Sequence, residues 1–277
     1  MSEAYRIIDL SLPIEKTSQE FIRPKIKFIT HKKGAKLLCF GGLIDEKYFI
    51  RTIFNFLLYV LGIKKITYNN FPDGIALAWE EVKMETHTGT HMDAPWHFGP
   101  YSEELPAKTI DRVPLEWCYA NCVIFDMRHK QLNSNIKAVD LEKACNEIRY
   151  KIKEKDIVLI MTGADKYSSQ RRYLFQYPAL TKEATLWLLN QGVKIIGTDS
   201  WGFDAPFKNM ISDYLRLKDK ECLWPNHFVG REKEYCHIEK LVNLDKIPVP
   251  FGFKVACFPI NLSGASAGWI RAVAILQ

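Results

Sequence analysis

The sequence has 277 residues, a length that suits one large domain, with hydrophobic residues at 47% and charged residues at 25%. This composition, without repeats or low-complexity runs, excludes a disordered chain and predicts a compact globular protein. The net charge is +6, and six of the basic residues lie between Arg23 and Lys36. No RNP-like, helix-turn-helix or zinc-finger pattern accompanies them, so we predict no nucleic-acid partner. The basic patch indicates a solvated face or mild attraction for an anionic substrate.

The N-terminus lacks the basic region, apolar core and cleavage site of a signal peptide, which favours a cytoplasmic location. Seven cysteines, an odd number without a dense framework, favour reduced thiols. The spacing of Cys118 and Cys122 is compatible with redox chemistry or metal binding, but it favours buried small hydrophobic residues.

Two apolar stretches lie in the first quarter of the chain. Residues Tyr5–Leu12 are typical of a first strand. The region Phe49–Ile66 contains an apolar run at residues 53–61, bracketed by Arg51 and Lys64-Lys65. Because a membrane-spanning helix needs about 20 apolar residues, we predict no membrane span. A buried helix, a lid over the site, a subunit contact and an interfacial membrane helix remain as alternatives for this run.

A dense group of candidate ligands follows at residues 86–98, with the sequence THTGTHMDAPWHF. Residues 82–86 alternate with the period of two that is typical of a strand, so His87 is predicted near a strand end. Gly89 permits a backbone bend and Pro95 restricts the backbone before it. We therefore expect the histidines of this stretch to lie on a folded loop.

Two imidazoles and a carboxylate come together in this stretch, from His87, His91 and Asp93. They suit Zn, Mn or Fe, with positions left open for water and substrate, as in a catalytic site. His97 follows a proline and lies between two aromatic residues, which favours an unligated acid/base over a fourth ligand. The alternative is a set of scattered loop histidines.

Strand and helix patterns alternate after this stretch, which predicts an α/β protein with the site at strand ends. The run over residues 156–162 is apolar at nearly every position, as in a strand buried on both faces. The predicted strands are 121–127, 156–162 and 193–197, and the predicted helices are 139–151 and 180–191.

Turn residues, carboxylates and aromatic residues follow the last of these strands, at Gly197–Asp204. They favour a pocket wall, in which aromatic rings stack on a flat substrate, and a structural loop with a capping aspartate fits equally well. Thr162–Asp165 likewise ends a strand, and it either faces the site or only turns the chain. The candidate pocket residues are Trp96, Phe98, Asp199 and Trp201.

The run from His87 to His97 matches every fixed position of the pattern H-x-G-T-H-x-D-x-P-x-H. It resembles the signature of the metal-dependent cyclase/amidohydrolase family, which includes bacterial kynurenine formamidase and isatin hydrolase. The resemblance covers most of the chain after about residue 75. The apolar segment within residues 34–74 departs from the family.

The resemblance implies a compact β/β/α fold with a central barrel-like mixed sheet and flanking helices. It implies one domain over residues 1–277, assembled as a homo-oligomer. It also implies that His227 and Glu239 complete the metal centre, with one or two Zn or Mn ions per subunit. His237 competes with His227 for this role, and the alternative is that His237 is a surface histidine. The sequence around His31 and His129 gives no indication that either residue is a metal ligand.

This ligand set predicts hydrolysis of a small-molecule amide, either a formamide or a cyclic amide, or of a lactone. Metal-bound hydroxide held by His87, His91 and Asp93 would attack the carbonyl, with Asp93 bridging to a second ion. His97 would move the proton from water to the leaving group. The alternatives are a biosynthetic, polyketide-type cyclase or dehydratase with the same metal site, and a binding protein whose ions only hold the fold.

Overall fold

The computed structural model describes residues 5–44, 47–63 and 65–276. Lys64, which flanks the apolar run in the sequence, lies outside these ranges. The chain divides into two compact units, of which the larger combines Met1–Pro24 with Met84–Gln277 and the smaller is Lys25–Lys83. The single domain over residues 1–277 stays a prediction.

The strands, in chain order, are β1 Arg6–Asp9, β2 Lys25–Ile29, β3 Trp79–Lys83, β4 His91–Asp93, β5 Tyr101–Ser102, β6 Leu105–Pro106, β7 Tyr119–Asp126, β8 Asn135–Ile136, β9 Ile157–Met161, β10 Ala179–Leu180, β11 Ile195–Thr198, β12 Cys236–Glu239, β13 Phe251–Ala256, β14 Ala267–Trp269 and β15 Val273–Leu276. The α-helices of the described residues are α1 His31–Leu38, α2 Phe49–Val60, α3 Pro95–Phe98, α4 Ala138–Glu147, α5 Lys182–Asn190, α6 Phe207–Leu217 and α7 Pro225–Glu232.

A nine-stranded sheet forms the centre of the larger unit, in the order β1-β15-β13-β7-β9-β11-β12-β4-β14. Strands β7, β9, β11 and β12 run parallel, and the strands on both sides of them pair antiparallel. The sheet curls into a half-barrel. This confirms the predicted α/β class with a barrel-like mixed sheet and flanking helices.

Strand β9 shows how the sheet separates two hydrophobic cores. All five of its residues are buried, and alternate side chains point to opposite faces of a strand. Ile157 and Leu159 belong to one core, whereas Val158 and Ile160 belong to the other, together with Leu188 of α5. The prediction of a strand buried on both faces is therefore confirmed. Cys118 and Cys122 are also buried, in the first of these cores.

The predicted loop at the histidine motif is confirmed for His87, which lies in a turn, but it is wrong for the other two histidines. His91 and Asp93 lie on strand β4, and His97 lies on the one-turn helix α3. Strand β4 pairs on both sides, with β12 and β14, and this long-range pairing is invisible in three residues of sequence. His87 follows the end of β3 by four residues, and Gly89 bends the backbone with φ +66°.

The apolar run of the smaller unit forms helix α2, whose described residues are all at least partly exposed. Phe49 and Ile50 are 78% and 79% exposed. The alternative of a buried helix is therefore wrong for this chain. None of the helices within the described residues has the length and apolar character needed to cross a membrane.

Candidate metal centre

Two neighbouring strands carry four of the candidate ligands in a ladder. On β4 His91 and Asp93 are two residues apart, and so are His237 and Glu239 on β12. Antiparallel pairing places His237 opposite Asp93 and Glu239 opposite His91. Side chains at alternate positions share a face of a strand, so all four point to the same side of the sheet.

His91 has the hydrogen bonding of a metal ligand. Its fully buried ring donates from Nδ1 to the carbonyl oxygen of Gly89, 2.8 Å away, because a carbonyl can only accept. The lone pair of Nε2 is therefore directed at Asp93 Oδ1 (3.3 Å) and Glu239 Oε2 (3.7 Å). Within the described residues, neither His91 Nε2 nor Asp93 Oδ1 has a hydrogen-bond partner. Acceptors that face each other without a proton need a cation between them.

His87 and His97 lie on the more exposed side of Asp93. His87 Nε2 is 3.2 Å from Asp93 Oδ1 and 3.2 Å from His97 Nδ1. Burial opposes a charge on His87, but the neighbouring Asp93 carboxylate raises its pKa. Burial lowers the pKa of His97 to about 4, against the attraction of Asp93. His97 is therefore neutral at neutral pH, with Nε2 3.8 Å from Asp93 Oδ2.

His227 enters the site from α7, and Asp204 fixes its orientation. Asp204 Oδ2 accepts from His227 Nδ1 at 2.6 Å, while its Oδ1 accepts from the backbone and side chain of Asn226. The hydrogen bond and charge of Asp204 raise the pKa of His227 to about 9 despite burial. His227 Nε2 is left facing Asp93 Oδ2, 4.0 Å away. A carboxylate that holds the far nitrogen of an imidazole is a common support for metal-binding histidines.

His237 is not on the surface, so the alternative of a surface histidine is wrong. Its side chain is fully buried, and its Nε2 lies 2.8 Å from Asp93 Oδ2 and 3.6 Å from Glu239 Oε1. Glu239 is held in place because its Oε1 also accepts from the backbone nitrogen of Phe203 at 2.8 Å. The sequence did contain an indication for His237, because it lies two residues before Glu239. In this strand the polar residues His237 and Glu239 alternate with Cys236 and Ile238.

A buried ion pair closes the site beside His87. Lys240 is 2% exposed, and its Nζ donates to both carboxylate oxygens of Glu20 at 2.8 and 3.0 Å and to the carbonyl oxygen of His87 at 2.8 Å. The same ammonium lies 4.6 Å from the centre of the Trp201 ring. Glu20 also accepts from the backbone nitrogen of Gly89. The pair therefore ties the segment before β2 to the turn that carries the ligands.

A cavity of about 230 Å³ opens onto this centre. Aromatic rings form much of its wall: Phe21 lies edge-on to Trp201 at 5.1 Å, and Phe207 stacks on Trp224 at 5.0 Å. The metal-site candidates that line it are His87, Asp93, His97, His227 and Glu239.

Of the four candidate pocket residues, Trp201 lines this cavity and the other three lie elsewhere. Trp96 is 44% exposed, on α3. Phe98 is buried and packs against the rings of His227 and His237. Asp199 is buried and accepts from Thr162 and Gly163, which ties the ends of β9 and β11 together.

The donor set fits metal ions. Two groups, each with ligand atoms within 4.8 Å of one another, share Asp93: one adds His87 and His97, and the other consists of Asp93, His227, His237 and Glu239. Imidazole nitrogens and carboxylate oxygens suit Zn and Mn. The unpaired atoms of His91 and Asp93 are available to bind a cation.

The family model for the Cyclase family, described as "Putative cyclase", matches residues 8–205. The chain belongs to the Cyclase family. The match includes the complete histidine motif and the strands up to β11. The resemblance seen in the sequence is thereby confirmed.

Relatives in the Cyclase family are distant in sequence. Cyclase-like protein 2 of Arabidopsis thaliana is 24% identical over 200 residues, which are 70% of this chain and 64% of that protein. Kynurenine formamidase of Erythrobacter litoralis (strain HTCC2594) is 25% identical, over 69% of this chain and 74% of that protein. The structure of isatin hydrolase A from Ralstonia solanacearum superposes with a TM-score of 0.72 at 20% identity, covering 99% of this chain and 92% of that one. The shared fold extends beyond the residues that match the family model.

Two residues of the centre were missed at the sequence level. Asp204 belongs to the segment that was predicted as a pocket wall, but its contact with His227 could not be predicted, because only folding brings it to the start of α7. His237 was considered only as a competitor of His227. Its position opposite Asp93 depends on the register of β12 with β4.

Proposed function

We propose that this protein is a metal-dependent hydrolase that cleaves an amide, either a formamide or a cyclic amide, or a lactone. The observation that carries the proposal is the pair of buried, unpaired atoms His91 Nε2 and Asp93 Oδ1, 3.3 Å apart. His87 Nε2 is 3.2 Å from the same oxygen. Because His87 and Asp93 line the cavity, an ion held there is open to a substrate, as a catalytic ion must be.

A bound ion would supply a water of lowered pKa and would polarise the substrate carbonyl. His97 is the residue that moves the proton. Its imidazole is neutral, lines the cavity and lies beside Asp93, so it can accept a proton from water and return it to the leaving nitrogen or oxygen. Asp204 supports the site from behind by holding His227.

The cavity wall favours a flat aromatic substrate. Trp201, Phe21, Phe207 and Trp224 offer ring faces and edges, on which a planar ring stacks favourably. Two relatives by sequence or fold carry the names kynurenine formamidase and isatin hydrolase, so one is named for a formamide and the other for isatin. We therefore place aromatic formamides and cyclic amides first among the substrates and lactones second.

Zn or Mn would serve as the ion, with one or two ions per subunit. The homo-oligomer and the cytoplasmic location stay predictions.

The test combines metal analysis with hydrolysis assays on N-formylkynurenine, isatin and a panel of small lactones. We expect bound Zn or Mn and turnover of at least one substrate. In His97→Ala the metal content should stay unchanged while kcat falls by roughly 10²–10⁴-fold, which is the usual contribution of a general acid or base. His129→Ala, a substitution outside the cavity, should leave both values unchanged.

Two outcomes would contradict the proposal. Absence of bound metal at every concentration tested would reject the centre itself. Full metal occupancy without hydrolysis of any substrate would reject the hydrolase and favour the biosynthetic cyclase.

A further inference from the structure

His237 has no role in the proposed mechanism, although it lies beside Asp93 and Glu239 in the candidate metal centre. Its fully buried ring stacks on Phe203, with centroids 4.4 Å apart and planes inclined by 12°. Phe98 covers another side at 4.9 Å. The imidazole is therefore fixed in one orientation by aromatic packing, and only its two nitrogens meet polar groups.

The partner of Nδ1 defines how the ring is protonated. Tyr235 Oη lies 3.4 Å from this nitrogen and 2.8 Å from the backbone oxygen of Asn226. A carbonyl can only accept, so the single proton of the Tyr235 hydroxyl is directed at Asn226. Tyr235 Oη is therefore an acceptor for Nδ1 of His237, and the tautomer that satisfies this contact has its proton on Nδ1 and a lone pair on Nε2.

In this tautomer the lone pair of Nε2 faces two carboxylate oxygens, whereas in the other tautomer Nε2 donates to Asp93 Oδ2. His237 Nε2 lies 2.8 Å from Asp93 Oδ2 and 3.6 Å from Glu239 Oε1. Lone pairs that face one another in a buried site are unfavourable unless a cation lies between them. His91 shows the same arrangement, since it donates from Nδ1 to an oxygen and directs the lone pair of Nε2 at Asp93. His227 also donates from Nδ1 to an oxygen and directs Nε2 at Asp93, where a bound cation would replace the proton on this nitrogen.

We propose that His237 is a direct ligand of a second metal ion, which it shares with Asp93, His227 and Glu239. The ligand atoms of these four residues all lie within 4.8 Å of one another. Ligand atoms at about 2.0–2.2 Å from one ion are at most about 4.4 Å apart, so the set closes around an ion by small movements. Two imidazoles and two carboxylates suit Zn better than Mg or Ca.

This inference rests on the metal centre of the proposed function and extends it. The resemblance assigned only His227 and Glu239 to this half of the centre. If His237 instead carries its proton on Nε2, it donates to Asp93 and only positions that carboxylate. The two roles differ in the number of ions bound and in the site of the proton.

The first experiment measures Zn per chain by equilibrium dialysis and elemental analysis. Wild type should bind two ions, and His237→Leu should bind one, at the site of His87, His91 and Asp93. His227→Ala should likewise bind one, and His129→Leu, a matched removal of a histidine elsewhere, should bind two. A wild type that binds one ion, or a His237→Leu variant that binds two with unchanged affinity, would overturn the proposal.

A second measurement does not depend on a variant that folds. NMR of Zn-saturated wild type labelled with ¹⁵N-histidine reports which imidazole nitrogens carry protons. We expect His237 to show a proton on Nδ1 and a metal-bound Nε2 without one. A proton on Nε2 of His237 in the Zn-saturated protein would show that it is a donor to Asp93 and would reject the proposal. Two ions per chain without hydrolysis of any substrate would reject the proposed function and leave the ligand assignment standing.

Discussion

Replacing Glu20 with Gln should destabilise the protein severely, because it leaves the Lys240 ammonium charged and buried without its counter-ion. The side chains of Lys240 and Glu20 are 2% and 7% exposed, so water cannot replace the lost carboxylate. Removal of one partner from a buried ion pair costs about 3–5 kcal/mol. Glutamine retains an acceptor for Lys240 and Gly89, so we expect a loss near the lower limit, about 3 kcal/mol.

Thermal unfolding followed by circular dichroism measures this loss. A decrease of about 3 kcal/mol corresponds to a decrease in Tm of roughly 6–10 °C for a protein of this size. The matched control is Glu232→Gln, which breaks the ion pair with Lys182, where the side chains are 54% and 33% exposed. This control should cost no more than about 1 kcal/mol, because solvent screens an exposed pair.

The double variant Glu20→Gln/Lys240→Met isolates the charge effect. It should recover part of the stability lost in Glu20→Gln, because no unpaired charge remains in the interior. If Glu20→Gln were no more destabilising than Glu232→Gln, Lys240 would have access to water or to another anion. The buried pair would then not connect the N-terminal segment to the turn at Gly89.

Three further predictions concern packing, protonation and metal. A Cβ on Gly230 would overlap the ring of Phe98, so Gly230→Ala should lower the free energy of unfolding by about 1–3 kcal/mol in a denaturant titration. The control Gly41→Ala, with open space around the glycine, should leave this free energy nearly unchanged. Burial raises the pKa of Asp199 from 3.8 to about 7. The contribution of Asp199 to the free energy of unfolding is therefore complete below pH 3.8 and is lost as pH rises through 7. Its carboxyl ¹³C resonance should titrate near pH 7, and a midpoint near 4 would contradict this environment. Dialysis against EDTA should lower Tm, because an ion at a free concentration of 100 times its Kd stabilises the fold by about 2.7 kcal/mol. Readdition of Zn should restore Tm, and a Tm that does not change with EDTA would argue against a bound ion.

The parts of the site that depend on local sequence could be predicted, and the parts that depend on strand register could not. His87, His91, Asp93 and His97 lie within eleven consecutive residues, so their types and spacing were informative before any fold was known. The orientation of His237 is set only when β12 pairs with β4. A shift of this register by one residue would turn His237 away from the other ligands.

The central sheet and its helices were predictable for a related reason. Strands such as β9 are buried on both faces, so their composition alone identifies them. Helix α2 is different, because an apolar run is equally compatible with a buried and an exposed helix. Its exposure depends on what packs around it in the fold, which the sequence of the run does not contain.

The candidate metal ligands and the aromatic walls of the cavity lie on different segments, which has a consequence for how such a site can change. Strands β4 and β12 carry His91, Asp93, His237 and Glu239 and are held by backbone pairing on both sides. The aromatic walls come from other segments, with Trp201 after β11 and Trp224 before α7. Substitutions in these walls can therefore alter which molecule fits without disturbing the atoms that would hold the ions. The architecture separates the evolution of substrate choice from the preservation of the reaction.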